Sequence, residues 1–117
     1  MKVKINFYNY LKKGWFYNMI RGIVYGESTL SAKQQLKAIV FNYERLGIYI
    51  KRKKESLRSL EIEFENGDFW RALKATENCR GMSCNIAYIE HTIAKEVVWN
   101  VIKPTIKSLP FQAYEYF

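Results

Sequence analysis

Residues 76–91 of the chain read Thr-Glu-Asn-Cys-Arg-Gly-Met-Ser-Cys-Asn-Ile-Ala-Tyr-Ile-Glu-His. This stretch decides the fold, because its apolar run from Ile86 to Ile89 is continuous rather than alternating. Such a run is typical of a strand that is buried on both faces, as in a parallel sheet covered by helices. The run ends in Glu90 and His91, so we expect two polar side chains at the rim of the sheet. Open α/β sheets bind ligands at the carboxyl ends of their strands.

Two further elements are predicted on the amino-terminal side. Residues 22–26 indicate a short buried strand bounded by glycines. A helix is predicted over 31–46, where Ser31 as N-cap and Gln34 three residues later form a capping box. Gly47 stands where a left-handed residue ends a helix. The apolar stripe of this helix consists of Leu36, Ile39, Val40, Tyr43 and Leu46.

A β-hairpin is predicted around Asn66-Gly67. Residues 60–65 alternate strictly between apolar and acidic side chains, which indicates a strand with one buried face. A two-residue type I′ turn at Asn66-Gly67 would pair Phe64 with Phe69, Ile62 with Arg71 and Leu60 with Leu73. This register leaves Arg71 on the apolar side without an explanation.

The remaining segments complete an α/β pattern. A helix is predicted over 94–103, with Pro104 ending or kinking it. The aromatic-rich residues from Phe111 onward indicate an edge strand, and residues 1–20 suit a strand and a helix about equally. A brief strand is predicted at 48–50. The order of elements predicts one domain over 1–117, an α/β three-layer sandwich with a partly parallel sheet, one β-hairpin and helices on the faces.

The composition of the 117 residues fits a folded, basic protein. Hydrophobic residues make up 49% and aromatic residues 16% of the chain, so it can form a packed core. The net charge of +8 favours contact with polyanions such as nucleic acid. A basic run contributes to it, and we consider two interpretations of that run: a phosphate-contacting patch and a solvated surface loop. The run consists of Lys51, Arg52, Lys53 and Lys54, with Arg58 close behind.

A metal site is not predicted. Cys79, Cys84 and His91 offer three ligands at unconvincing spacing, whereas structural zinc needs four. We therefore interpret the two cysteines as ordinary reduced residues of a cytosolic protein. No signal peptide and no apolar segment of membrane-spanning length, about 18 residues, is visible, so we expect no membrane partner and a cytoplasmic location.

The order of motifs leads to a family resemblance. A strand, an Asn-Gly turn, a second strand, a loop with Arg80-Gly81, an apolar strand ending in Glu90-His91, a helix and a proline follow one another. Residues 60–106 thereby resemble part of the ATPase domain of phage terminase large subunits, the motors that package viral DNA. The resemblance implies a nucleotide-binding role for Arg80 and Gly81. It also implies catalytic positions for Glu90 and His91, and a location in the cytoplasm of a host cell.

The chain departs from this family where the chemistry is performed. The family's metal-binding Asp is Glu90 here and its catalytic Glu is His91. The phosphate-binding loop is missing, because the nearest stretch, 22–28, is one residue short and has Glu27 where a lysine must meet phosphate. The resemblance therefore implies a shortened relative without ATPase activity on its own. Magnesium and ATP would be cofactors only if this site were functional.

Three functional hypotheses follow. The first is a relative of the motor ATPase core that acts in DNA packaging, with other packaging-motor chains as partners. The second is a non-catalytic phage protein that binds nucleic acid or inhibits a host defence protein. The third is an oligomer, in which another chain covers the aromatic segment from Phe111 to Phe117.

Overall fold

Six strands form one mixed sheet in the computed structural model, which describes residues 19–79, 81–107 and 113–117. Their order across the sheet is β2-β3-β4-β1-β5-β6. The strands are β1 (Arg21–Gly26), β2 (Ile50–Glu55), β3 (Ser59–Phe64), β4 (Phe69–Lys74), β5 (Ile86–Ile89) and β6 (Ala113–Tyr116).

The parallel centre of the sheet confirms the prediction for Ile86–Ile89. All four residues of β5 are buried, and β5 lies parallel between β1 and β6. β1 is one residue longer than predicted and also pairs in parallel with β4. Helices cover both faces of this region, so the predicted α/β sandwich with a partly parallel sheet is confirmed.

The first helix, α1 (Thr29–Arg45), begins earlier than the sequence predicts. Ser28 is the N-cap, and Ser31 is the third helical residue of a capping box. The side chain of Ser28 accepts the N–H of Ser31 at 3.1 Å, and that of Ser31 accepts the N–H of Ser28 at 3.3 Å. The prediction of Ser31 as N-cap is thus wrong, because two serines three residues apart satisfy both positions of the box. Gly47 has φ +80°, which confirms the predicted left-handed residue after the helix.

The second helical segment, α2 (residues 95–105), is less regular than the predicted helix over 94–103. It consists of an α-helical turn Lys95–Val97, a π-helical turn Val98–Ile102 and a 3₁₀ turn Lys103–Thr105. The N–H of Lys103 bonds to the carbonyl of Val98, five residues back. Pro104 lacks an N–H and cannot continue an α-helix, so the backbone hydrogen bonds near it change from the α-helical spacing of four residues. None of the helices in the described ranges has the length and apolar character needed to cross a membrane.

Two apolar cores lie on opposite faces of the sheet. α1 covers one face through Ala32, Leu36, Ile39 and Tyr43. α2 covers the other face, above β1 and β5, through Val98, Val101 and Ile102. On the face of α1 the core extends from the parallel strands to Leu60, Ile62 and Phe64 of β3, whereas β2 is almost entirely exposed.

The hairpin between β3 and β4 has a register one residue away from the predicted one. The N–H of Phe64 bonds to the carbonyl of Asp68 at 2.8 Å, so the loop has three residues, 65–67. Gly67 has φ +95°, and no non-glycine residue in the described ranges has positive φ, which excludes a type I′ turn at Asn66. A turn closed by a left-handed glycine is the usual three-residue loop. This register pairs Glu61 with Arg71. It explains why a charged residue stands at position 71, because Arg71 Nε lies 3.3 Å from Glu61 Oε2.

The two edges of the sheet lie at β2 and β6. β2 pairs antiparallel with β3 and contains the whole run 51–54. The predicted brief strand at 48–50 is therefore shifted and longer, and the run is a solvated edge strand rather than a loop. Contact with phosphate stays a prediction. β6 confirms the predicted edge strand near the carboxyl terminus. The alternatives for residues 1–20 lie almost entirely outside the described residues.

A buried carboxylate joins the hairpin to α1. Asp68 is 4% exposed and accepts the N–H of Ile20 at 3.0 Å. Its other oxygen accepts the hydroxyl of Tyr43 at 2.8 Å and the amide of Asn66 at 3.2 Å. Trp70 Nε1 donates to the Tyr43 oxygen at 3.0 Å. Burial raises the pKa of Asp68, although these hydrogen bonds oppose the shift.

Asp68 should make stability depend on pH in a definite direction. Since its pKa is higher in the folded protein than in the unfolded chain, folding favours the protonated carboxyl. The contribution of Asp68 to the free energy of unfolding should therefore increase as the pH falls from 7 through the raised pKa. We expect the stability difference between the wild type and Asp68→Asn to shift in favour of the wild type on acidification. Urea denaturation at several pH values measures this difference, and an opposite trend would contradict the assignment.

Candidate functional site

The carboxyl ends of the parallel strands form the rim that the sequence singles out. After β1 the chain turns into α1 on one face, whereas after β5 it continues to α2 on the other face. Adjacent strands whose connections leave on opposite faces open the crevice where α/β sheets bind ligands. The turn after β1 is tight, because a Cβ on Gly26 would lie 2.6 Å from the carbonyl oxygen of Ser28 and 2.7 Å from the nitrogen of Ala32.

Glu90 reaches this crevice, and its carboxylate is already engaged there. Oε1 of Glu90 accepts the backbone N–H of Glu27 at 2.7 Å and the hydroxyl of Ser31 at 2.7 Å. The first turn of α1 has no acidic residue of its own. The Glu90 carboxylate therefore supplies the negative charge that stabilises a helix N-terminus. It ties the end of β5 to the start of α1.

His91 is exposed and points to a different element. Its backbone N–H donates to the oxygen of Phe117 at 2.8 Å, and its Nδ1 lies 2.7 Å from the same oxygen. The tautomer with the proton on Nδ1 makes this second contact a hydrogen bond. Glu90 and His91 thus share the rim, but Glu90 contacts the β1–α1 turn and His91 contacts the end of β6.

The residues at the crevice do not favour a phosphate that carries no metal ion. Oε1 of Glu90 and the N–H of Glu27 satisfy each other, so this N–H is not left for a phosphate. The carboxylate of Glu27 accepts the hydroxyl of Thr92 at 2.5 Å and adds a second negative charge to the rim. An anion would be repelled by this pair of carboxylates.

The predicted nucleotide-binding pair, Arg80 and Gly81, lies in the connection between β4 and β5. Gly81 is exposed and has φ +88°, and a Cβ added there would meet no atom within 4 Å. Its backbone conformation, rather than a close neighbour, therefore favours glycine. Arg80 lies outside the described residues.

The two cysteines lie in the core beneath α2. Both are buried and free, and Cys84 Sγ lies 3.9 Å from the hydroxyl oxygen of Thr105. Burial raises the pKa of Cys84 to about 11, so the thiol stays protonated at neutral pH. His91 lies at the rim, and no group of three metal-binding side chains occurs in the part of the chain that the structure describes.

The basic run forms the outer edge of the sheet. Lys51, Arg52, Lys53, Lys54 and Arg58 are all exposed. Arg52 lies 3.8 Å from Glu63, and no other member makes an ion pair with a described residue. The register places Arg52 and Lys54 on the same face as Glu63 and Glu61, whereas Lys53 lies on the face of α1.

A groove that sequence reasoning missed lies beside this edge. It has a volume of about 480 Å³ and runs from the carboxyl end of β4 to the start of α1. Four separate segments contribute to it, and only the unexplained Arg71 of the predicted hairpin pointed to it. Its polar wall contains Thr29, Arg58, Ser59, Arg71, Lys74 and Thr76.

Neither a protein-family model, nor a curated protein, nor a solved structure matches the chain. The terminase resemblance therefore remains a prediction from the order of motifs.

The contacts of Glu90 predict a structural effect of its removal. Glu90→Ala should lower the free energy of unfolding by about 2 kcal/mol, because it removes a charged acceptor from two donors at a helix start. Glu90→Gln keeps an oxygen acceptor and should lose about half as much. Urea denaturation measures both, with Glu65→Ala, at an exposed position outside the helices, as the matched control.

A calorimetric titration with magnesium and ATP distinguishes this role from a catalytic one. We expect no magnesium-dependent ATP binding at the rim, so any nucleotide affinity of the wild type should be unchanged by magnesium and by either substitution. Magnesium-dependent ATP binding that Glu90→Ala abolishes, without a change in stability, would instead support a nucleotide site.

Proposed function

We propose that the protein binds nucleic acid without catalysing a reaction, and that the outer edge of β2 contacts the phosphate backbone. One observation carries the proposal: the side chains of Lys51, Arg52, Lys53, Lys54 and Arg58 are exposed together along one strand and its turn. Lysine and arginine that neutralise phosphates release counterions, and this release drives binding that does not depend on sequence.

The charge balance of this edge supports the proposal. On the face that β2 shares with β3, the cations Arg52 and Lys54 stand beside Glu63 and Glu61. Glu61 is engaged by Arg71 at 3.3 Å and Glu63 by Arg52 at 3.8 Å. Lys51, Lys53, Lys54 and Arg58 therefore keep positive charge that no described carboxylate neutralises through an ion pair. Exposed Tyr49 just before the run adds an aromatic ring on which a base can stack.

The rim supports the non-catalytic part of the proposal. The carboxylate that the resemblance assigns to a metal is held by Glu27 and Ser31. Its contacts stabilise the turn between β1 and α1, which is a structural role.

Salt dependence tests this function. Fluorescence anisotropy with labelled single-stranded DNA, RNA and duplex DNA should give affinities that fall as salt rises. About five phosphate contacts predict a slope of roughly −3.5 for log K against log salt with single strands. An affinity indifferent to salt would indicate a protein partner, such as a host defence protein, and no binding at low salt would overturn the proposal.

A second candidate is a role in DNA packaging beside a motor chain that supplies the phosphate loop. The buried central strand β5 with Glu90 at its end favours it, since the resemblance requires an acid at that position. Coding sequence for a phosphate loop or a nuclease domain next to the gene, together with ATPase activity of the mixed chains above that of the partner alone, would support this role. A mixture no more active than the partner would count against it.

A further inference from the structure

The groove beside β2 occupies a second crevice of the sheet. β1 continues into α1 on one face, whereas β4 leaves toward β5 on the other, so the connections diverge here as well. The groove lies between the start of α1, the turn at 56–58 that joins β2 to β3, and the end of β4. Its position at the carboxyl ends of diverging strands is one where α/β sheets bind ligands.

The lining combines an apolar part with cations. Leu73, Cys79 and Met82 supply the apolar part. Arg58, Arg71 and Lys74 supply three positive charges, against the single carboxylate of Glu61 among the lining residues whose side chains the structure describes. Because Glu61 is already paired with Arg71, the groove retains the charge of Arg58 and Lys74 for an anion.

Arg71 is held in position at the wall of the groove. Its Nε lies 3.3 Å from Glu61 Oε2 but without hydrogen-bond geometry, so this covered N–H is unsatisfied among the described residues. Its Nη1 lies 3.9 Å from Met82 Sδ, and its guanidinium lies over the ring of Phe69 at 5.8 Å. These contacts orient the cation before any ligand binds, which lowers the entropy cost of binding.

We infer that the groove binds one nucleotide unit, with the base against the apolar part and the phosphate near Arg58 and Lys74. The volume of about 480 Å³ lies in the range of small-molecule pockets. An inorganic anion would leave the apolar part uncovered, and an apolar ligand would leave the cations without a partner. Arg58 belongs both to the groove and to the basic edge, so a strand that follows β2 would reach the groove with its terminal nucleotide. This last step rests on the proposed function.

Variants that fill the groove test the inference. Thr76→Trp and Thr29→Trp narrow it from two different walls, and Asn100→Trp adds the same side chain at an exposed position of α2. Binding of nucleoside monophosphates is measured by NMR chemical shifts, and oligonucleotide binding by anisotropy. We expect millimolar binding of the monophosphate to the wild type and about a tenfold loss in the filled variants, since the base loses its contact with the apolar part of the groove. Asn100→Trp should leave the affinity unchanged.

The monophosphate and oligonucleotide measurements together separate this inference from the proposed function. Monophosphate binding that both filled variants weaken supports the groove, whether or not oligonucleotides bind. If oligonucleotides bind more tightly than the monophosphate and lose affinity in the filled variants, the nucleotide in the groove is the terminal unit of a strand. The inference is overturned if folded wild type shows no shift with monophosphate and the filled variants bind oligonucleotides like the wild type. In that outcome salt-dependent oligonucleotide binding would still support the basic edge.

Discussion

Replacing Lys51, Arg52, Lys53 and Lys54 together by glutamine is expected to weaken binding of single-stranded nucleic acid on the order of 100-fold at ~0.1 M salt. Each lost phosphate contact removes about 0.7 from the magnitude of the salt slope, so the slope should flatten at the same time. The exposed side chains of this run contribute little to the core, and the fold should survive. Anisotropy measured over a range of salt concentrations gives both quantities.

A matched variant shows whether position or net charge matters. Lys37, Arg45, Lys95 and Lys107 are exposed elsewhere, and replacing them by glutamine removes the same number of charges. This control should lose only a few-fold in affinity. Equal losses in the two variants would mean that the total charge, rather than the edge of β2, governs binding.

The second large effect concerns Gly22 at the centre of the sheet. A Cβ at this position would lie 2.2 Å from Cε3 and 2.3 Å from Cζ3 of Trp70, its partner across β1 and β4. Trp70 is fully buried, and Tyr43 accepts its indole N–H, so the ring cannot move aside cheaply. Gly22→Ala should therefore cost about 3 kcal/mol in the free energy of unfolding.

A double-mutant cycle tests whether the destabilisation by Gly22→Ala comes from the clash with the Trp70 ring. Trp70→Leu is destabilising by itself, because it leaves a cavity. In that background Gly22→Ala should cost at least about 1 kcal/mol less than in the wild type, since neighbouring sites are not additive. Thermal or urea unfolding of the four proteins gives the coupling. A cost that is the same in both backgrounds would place Trp70 and Gly22 apart and contradict the parallel register of β1 and β4.

The central strand could be predicted because its signal is local. Four consecutive apolar residues ending in Glu90 indicate burial on both faces without any knowledge of neighbours. The end of α1 was also predictable, since Gly47 is followed by no helical pattern. Its start was harder, because Ser28 and Ser31 are equally good caps and only the reciprocal hydrogen bonds distinguish them.

The hairpin shows why register is less predictable than the existence of strands. Asn66-Gly67 fits both a two-residue and a three-residue loop, and the choice moves every partner by one position. Arg71 distinguishes the two registers, because only the three-residue loop places it opposite Glu61. A charge on the apolar side of a predicted strand is thus a reason to shift the register.

The candidate sites depend on contacts between distant segments. The sequence identifies Glu90 as an acid at a strand end, but its role depends on Glu27 and Ser31, about sixty positions away. The groove likewise joins α1, both hairpin strands and the connection after β4. No periodicity in a single segment reports such a juxtaposition, whereas the basic run 51–54 is visible at once because it is contiguous.

The lysines of β2 also govern how this sheet meets other copies of itself. An open strand edge is a template on which a further strand can add, and two β2 edges in contact would place like charges about 5 Å apart. Repulsion at that distance opposes edge-to-edge growth and is strongest at low ionic strength. The same side chains would thereby protect the free protein from aggregation, and neutralising them would make protein–protein assembly along this edge easier.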